Sequence, residues 1–153
     1  MRNINTIAVI DIESGKVKWA LTGMWYAQHQ PVFLDNGHIL LFDNKGGNNR
    51  SYFEFGRSKI IEFHPFTQKV YWEYRGENQK LFFSHYLGYN QRLPNGNTLI
   101  TESTQGRIFE VTLDKKIVWE YYNPHRTGEN NELIATVMGA QRIERNKLRF
   151  LDE

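Results

Sequence analysis

The feature that most constrains this chain is a hairpin that occurs three times. The first copy is Thr6-Ile7-Ala8-Val9-Ile10-Asp11, a polar turn at Glu13-Ser14-Gly15, then Lys16-Val17-Lys18-Trp19. The second is Lys59-Ile60-Ile61-Glu62-Phe63-His64, then Lys69-Val70-Tyr71-Trp72-Glu73-Tyr74. The third is Arg107-Ile108-Phe109-Glu110-Val111, then Lys116-Ile117-Val118-Trp119-Glu120-Tyr121. Its tryptophans stand 53 and 47 residues apart. Each copy is two β-rich runs about a polar turn, which is a hairpin pattern. Self-similarity at this period means stacked supersecondary units rather than one layered domain.

A second hairpin alternates with the first. Val32-Phe33-Leu34-Asp35-Asn36-Gly37-His38-Ile39-Leu40-Leu41-Phe42 matches Gln91-Arg92-Leu93-Pro94-Asn95-Gly96-Asn97-Thr98-Leu99-Ile100. Both hold Asn-Gly between apolar runs, a hairpin turn that needs positive φ. A weaker third copy, Ala140-Gln141-Arg142-Ile143, echoes Asn90-Gln91-Arg92-Leu93, but Arg145-Asn146 follows it in place of Asn-Gly. The chain then reads as half a unit, two whole units and half a unit, over residues 6–21, 29–75, 87–122 and 133–151. Residues 134–139 read as the entry to a strand, and no helix is predicted.

A whole unit of four short strands in roughly 50 residues has the size of a propeller blade. The predicted fold is all-β: a partial β-propeller of about three blade equivalents, each blade a four-stranded antiparallel sheet. Closed rings use about 4–8 blades. Three blades leave edge strands unpaired, which is an aggregation liability. The two half-blades are complementary, so two copies joined head to tail make six blades, and the other reading is a piece of a longer propeller.

Composition adds exclusions. Ten Phe, eight Tyr and four Trp supply large rings for packing between blades. With no Cys, disulfides, zinc-thiolate sites and cysteine nucleophiles are ruled out. A net charge of +2 gives no argument for nucleic acid. No apolar run reaches membrane-span length, and the opening Met1-Arg2-Asn3-Ile4-Asn5-Thr6 lacks the apolar stretch of a secretory signal. No two histidines have the close spacing of a zinc site, and Gly46-Gly47-Asn48-Asn49 lacks the order of a phosphate loop.

The recurrent Trp19, Trp72 and Trp119 read as packing residues between blades. Trp25 lies outside the repeat, before an inner strand, and is a candidate binding residue. Arg92 and Arg142 recur at one repeat position. An inner-strand Arg there either faces the channel and binds an anion or joins neighbouring blades as an ion pair. His38, in the Asn-Gly turn, reads as solvent-exposed. His64 reads as structural in an outer turn, and His125, after Asn123-Pro124, as a loop residue. The polar stretch 45–57 reads either as a long loop capping the channel or as a disordered segment. Arg142, Arg145, Lys147 and Arg149 read as the solvated face of a strand.

The wording of several segments resembles the bacterial arylsulfotransferase family, the type that does not use a nucleotide sulfate donor. They are Trp25-Tyr26-Ala27-Gln28-His29-Gln30-Pro31 with Leu34-Asp35-Asn36-Gly37-His38-Ile39-Leu40-Leu41-Phe42-Asp43-Asn44, and Phe82-Phe83-Ser84 with Gln91-Arg92-Leu93-Pro94-Asn95-Gly96-Asn97-Thr98-Leu99-Ile100-Thr101-Glu102-Ser103. Gly106-Arg107-Ile108-Phe109-Glu110-Val111 and Ile117-Val118-Trp119-Glu120-Tyr121 are similar too. The resemblance runs from about Thr6 to about Arg142 and corresponds to the C-terminal part of the family's propeller.

The resemblance implies transfer of a sulfuryl group from a phenolic sulfate ester to a phenol acceptor. The route is a sulfated histidine in the channel of a six-bladed propeller, with no cofactor. It implies export to the periplasm for most members. His29 falls where the family has its Gln-His and is the candidate nucleophile. Neutral imidazole is competent near pH 7, because its unperturbed pKa is about 6.5. The non-bridging sulfuryl oxygens need donors or cations around them. Gln28, Trp25, His85 and Arg92 are the candidates for substrate contact. The family's further channel histidines and arginine lie upstream of the residues present here. Two departures stand out: His85 where the family more often has Pro, and Arg57-Ser58-Lys59 where it often has Ser-Arg. The competing readings are a non-catalytic propeller module that binds a ligand or protein, and an inactive truncated product.

Overall fold

The computed structural model describes residues 1–46, 57–77 and 80–151. Their regular structure is fourteen short strands and four 3-10 turns. β1 (Thr6–Ile10) pairs with β2 (Val17–Thr22). β3 (His29–Phe33), β4 (Ile39–Asp43), β5 (Lys59–Phe63) and β6 (Val70–Tyr74) form a four-stranded antiparallel sheet in chain order. A short ribbon follows, β7 (Gly76–Glu77) with β8 (Lys80–Leu81). β9 (Tyr89–Arg92), β10 (Thr98–Glu102), β11 (Arg107–Val111) and β12 (Ile117–Tyr122) repeat the four-stranded sheet. A last ribbon joins β13 (Arg126–Thr127) to β14 (Leu133–Ile134).

The three copies of the first hairpin share one register. Val9 faces Trp19, Glu62 faces Trp72 and Glu110 faces Trp119, and each pair is followed at once by a bulge. A bulge at the same step twists the three hairpins alike. The two Asn-Gly turns also match. Leu34 N–H donates to His38 O and Leu93 N–H to Asn97 O, both at 2.8 Å. Only the glycines take positive φ, 80° at Gly37 and 86° at Gly96; Asn36 and Asn95 do not. This is the longer, bulged form of the hairpin turn, which asks for glycine at one position instead of two residues at positive φ.

The hairpins stack through the alternation of their side chains. All five residues of β4 and all five of β5 are buried. Leu40, Phe42 and Ile60 point to one face and meet Tyr74, Phe82, Ile100, Phe109 and Val111. Ile39, Leu41, Ile61 and Phe63 point to the other and meet Ile7 and Trp25, with Trp19, Leu21 and Met24 at the margin. The sheet β3–β6 therefore has an apolar layer on each side, one shared with β1–β2 and one with β9–β12. That explains its continuous apolar runs, since a strand buried on both faces loses the usual alternation.

The last expected unit, 133–151, is corrected in detail. Beyond β14 the described chain holds no strand, only 3-10 turns at Arg145–Lys147 and Arg149–Leu151. Its Asn-Gly is missing, and no neighbouring hairpin offers it a ladder. Residues 141–142 still dock on the third sheet: Gln91 Nε2 donates to Arg142 O at 3.1 Å, and Arg142 N–H donates to Gln91 Oε1 at 2.8 Å. The expected capping loop, 45–57, lies for the most part outside the described residues.

Candidate active site

His29 opens β3 opposite Phe42 of β4. β4 is pinned by burial, so the residues that leave its end are held firmly. Asn44, two residues past Phe42, is fully buried. Its amide nitrogen donates to Ser84 O at 2.9 Å and to Leu87 O at 2.6 Å. Its own backbone carbonyl accepts from Ser58 Oγ at 3.0 Å. The remaining side-chain oxygen lies 2.7 Å from His29 Nδ1. His29, half-buried, is thus fixed by a residue that ties three segments together.

Of the other candidates, His85 lies in the segment that anchors Asn44. It follows Ser84, which anchors Asn44, and its backbone N–H donates to Thr104 Oγ1 at 3.2 Å. Its ring is flanked by Phe83 and Tyr86.

Gln28 and Trp25 are spent on the framework. Gln28 is buried, and its amide donates to Thr6 O at 3.0 Å and to Met1 O at 3.4 Å. Trp25 is 0% exposed, its indole N–H donates to Asn5 O at 2.8 Å, and its ring packs 5.1 Å from Phe63. These two read from sequence as substrate contacts; the Gln28 amide nitrogen and the Trp25 indole N–H face backbone, while Gln28 Oε1 is buried without a hydrogen-bond partner among the described residues.

Arg92 takes the second of its two sequence readings, the ion pair between sheets. It stands at the Asn-Gly end of β9, whereas His29 stands at the opposite end of β3. Arg92 Nη2 meets Glu62 Oε2 at 2.7 Å, Nη1 donates to Gly96 O at 2.9 Å, and the guanidinium lies 4.9 Å over the Trp72 ring. Burial pulls its pKa below the usual value, against the nearby Glu62 charge.

The other oxygen of Glu62 accepts from Asn36 Nδ2 at 3.2 Å and lies 2.8 Å from His38 Nδ1. His38 is therefore not the exposed turn residue expected. Its side chain is 14% exposed and its ring sits 4.3 Å from Tyr71. His64 is structural, its Nδ1 accepting from the Phe66 and Thr67 N–H groups at 3.2 and 3.3 Å.

The same construction recurs one unit on. Glu110 accepts from Asn97 at 2.6 Å and Asn95 at 3.4 Å through one oxygen, and pairs with Arg142 through the other. The Arg142 guanidinium lies 5.5 Å over Trp119. Burial works to raise the Glu110 pKa, but the bonds from Asn97, Arg142 and Asn95 outweigh it and hold the carboxyl below its ordinary range. Arg142 is thus part of a latch, and the basic cluster read as a strand face is not one.

A second layer of charge sits at the His29 end of the sheets. Lys59 faces Asp43 across β4–β5 at 3.6 Å, and Arg107 faces Glu102 across β10–β11 at 3.2 Å, all four buried. Arg107 also holds Glu120 at 2.7 Å. Burial pushes the Glu102 carboxyl up despite bonds from Phe83 N–H and Arg107.

A cleft of about 690 Å³ runs between β3 and β9. Gln30, Val32, Asn36, Glu62, Tyr89 and Arg92 are among its lining residues. It reaches Gln30, the residue after His29, but not His29 itself. Sequence reasoning missed Asn44, Glu62 and Glu110. Asn44 closes the quoted run Leu40-Leu41-Phe42-Asp43-Asn44, and each Glu faces a repeat Trp, so a signal existed for all three.

Residues 1–124 match the family model described as Arylsulfotransferase (ASST). The chain belongs to the arylsulfotransferase family. Both the His29–Asn44 pair and the two four-stranded sheets fall inside the matched arylsulfotransferase residues. A crystal structure of a protein of unknown function from Bacteroides caccae matches with 13% identity and a TM-score of 0.48, over 78% of this chain. The present arylsulfotransferase chain spans 39% of that protein's length, and a likeness this distant carries no argument. No curated protein matches the chain. Lys59, in the Arg57-Ser58-Lys59 segment, is 8% exposed and engaged with Asp43.

Proposed function

We propose that this chain forms part of the catalytic channel of a six-bladed β-propeller that transfers a sulfuryl group between phenols, with His29 as the nucleophile. The observation that carries the reading is the imidazole of His29 held 2.7 Å from a buried, doubly anchored Asn44, within residues matched by the arylsulfotransferase model. An imidazole held in one orientation by a buried amide suits a histidine that acts as nucleophile. In the proposed reaction a ring nitrogen of His29 attacks sulfur, and the S–O bond to the donor phenol breaks with the electron pair leaving on phenolate. An acceptor phenol then takes the sulfuryl group from the ring.

Developing charge on the sulfuryl oxygens calls for donors from several directions. The side-chain partner of His29 among the described residues is the amide of Asn44. We propose that the remaining donors come from other blades, supplied by a second copy or by further propeller chain. Either source would give β1 the partner that β5 and β11 already have on both sides.

The test is release of nitrophenolate from 4-nitrophenyl sulfate in the presence of a phenol acceptor, with light scattering on the same sample. Loss of release in His29→Ala with the assembly unchanged supports the reading. Release that survives the substitution refutes the nucleophile. A stable monodisperse monomer with full activity refutes the need for other blades.

A further inference from the structure

We infer that Asn44 is a positioning residue that selects the tautomer of His29, placing the proton on Nδ1 and leaving Nε2 as the nucleophilic atom. The inference rests on the sulfuryl-transfer reading for its consequence, but not for its geometry. An asparagine amide has one end that only donates and one that only accepts. The nitrogen end of Asn44 faces two backbone carbonyls, Ser84 O at 2.9 Å and Leu87 O at 2.6 Å. Carbonyls only accept, so this orientation cannot be flipped without setting oxygen against two oxygens. The end facing His29 is then the oxygen, 2.7 Å from Nδ1. An oxygen that only accepts requires a proton on Nδ1. A neutral ring with its proton there carries its lone pair on Nε2.

The residue type has a further consequence. A carboxylate in the place of Asn44 would fix the same tautomer, but would add a negative charge beside a site meant for an anionic sulfate ester. The amide orients the ring without that charge. With Nε2 as nucleophile the balance is simple. The Nε2 lone pair forms the N–S bond while the S–O bond breaks and phenolate departs. The sulfated ring keeps its Nδ1 proton, bonded to Asn44 Oδ1, and is cationic. Attack of the acceptor oxygen on sulfur returns the electron pair to Nε2, and the acceptor's proton passes to solvent. A cationic ring is a better leaving group than a neutral one, so the retained proton assists the second step.

The decisive measurement is ¹⁵N NMR of the full chain with labelled histidine, above the pH at which imidazoles are protonated. The chain has five histidines, and the His29 signals are those missing from His29→Gln. The expected pattern is a proton-bearing Nδ1 and an unprotonated Nε2, opposite to the preference of free imidazole in histidine. A dominant Nε2–H form at His29 overturns the inference even if sulfuryl transfer is found. The expected pattern with no transfer sustains it and counts against the proposed function instead. Asn44→Ala, checked for folding by circular dichroism, is expected to move the His29 signals toward the Nε2–H form and to lower kcat on the order of 10²-fold or more, as tautomer errors do elsewhere. An unchanged tautomer in that folded variant overturns the role of Asn44.

Discussion

Replacing Arg92 with Met should destabilise the protein several times more than the same change at Arg142, although the two residues occupy one repeat position. The contacts are the same in kind: a carboxylate on the preceding sheet and the face of a tryptophan. The surroundings differ. Arg92 is 15% exposed and Glu62 12%, whereas Arg142 is 43% exposed. Breaking a buried pair leaves an uncompensated charge and costs about 3–5 kcal/mol. Glu62 keeps its bonds from Asn36 and His38, which lowers the cost below that range's middle, to about 2–4 kcal/mol for Arg92→Met. Water reaches Arg142, and Glu110, itself only 6% exposed, keeps its bonds from Asn97 and Asn95, so losing the arginine should cost about 1 kcal/mol. Urea unfolding followed by tryptophan fluorescence reads both, since Trp72 and Trp119 lie beneath the two guanidinium groups. A double-mutant cycle of Arg92→Met with Glu62→Gln should give a coupling above about 1 kcal/mol. Equal costs at the two arginines, or a coupling near zero, would refute the claim that burial grades these latches.

Other expected outcomes follow from single contacts. Gly88 has φ +114°, and a Cβ there would lie 2.7 Å from the fully buried Phe42 ring; Gly88→Ala should cost about 2–4 kcal/mol by thermal unfolding. Gly37→Ala, with φ +80° and open space around it, should cost only about 1 kcal/mol by the same measurement. Trp25→Phe removes the N–H bonded to Asn5 O and should cost about 1–3 kcal/mol in urea, while the KM for the phenolic sulfate stays unchanged. The Glu110 carboxyl is held below its ordinary range, so its stabilisation is complete above the unfolded value of about 4.3 and is lost as pH falls through the lower folded value. Glu110→Gln should therefore flatten the acid limb of the stability–pH curve below about pH 4, as read by unfolding at stepped pH.

What was legible in the sequence was local and periodic. The hairpins were readable because strand alternation, Asn-Gly and the facing Trp all lie within a few residues of each other. The packing role of Trp72 was readable for the same reason, and its indole N–H does reach the neighbouring sheet at Leu113 O. The family wording was also local, and it was the ground for singling out His29 as a candidate. The partners of these residues were not legible, because the stacking of sheets sets them. Asn44 is 15 residues from His29, and its other contacts lie 40 and 43 residues away. Arg92 admitted two readings until Glu62, 30 residues off, was seen beside it. His38 was misread because a turn residue is ordinarily wet. The repeat held the missing clue, since Asn97 at the same position also reaches a glutamate. The final unit was over-read from four residues, in a segment lacking the turn that would have closed it.

The latch glutamates bear on how such a chain comes apart. In stacked repeats, stability is commonly a sum of what each unit holds alone and what each interface adds. Here one carboxylate belongs to both sums. Glu62 accepts from the turn of its own sheet with one oxygen and from the next sheet's Arg92 with the other. Glu110 does the same for its turn and Arg142. Peeling one sheet away thus loosens a turn in the sheet it leaves behind, and fraying of that turn weakens the grip on the neighbour. The two four-stranded sheets should melt as one cooperative block, and transplanting a single unit into another protein would carry half of a shared bond with it. The first junction has Val9 where the others have glutamate, and Phe33 where they have arginine, beside Trp19. It has no such link, so it is where the block ends and where separation should begin.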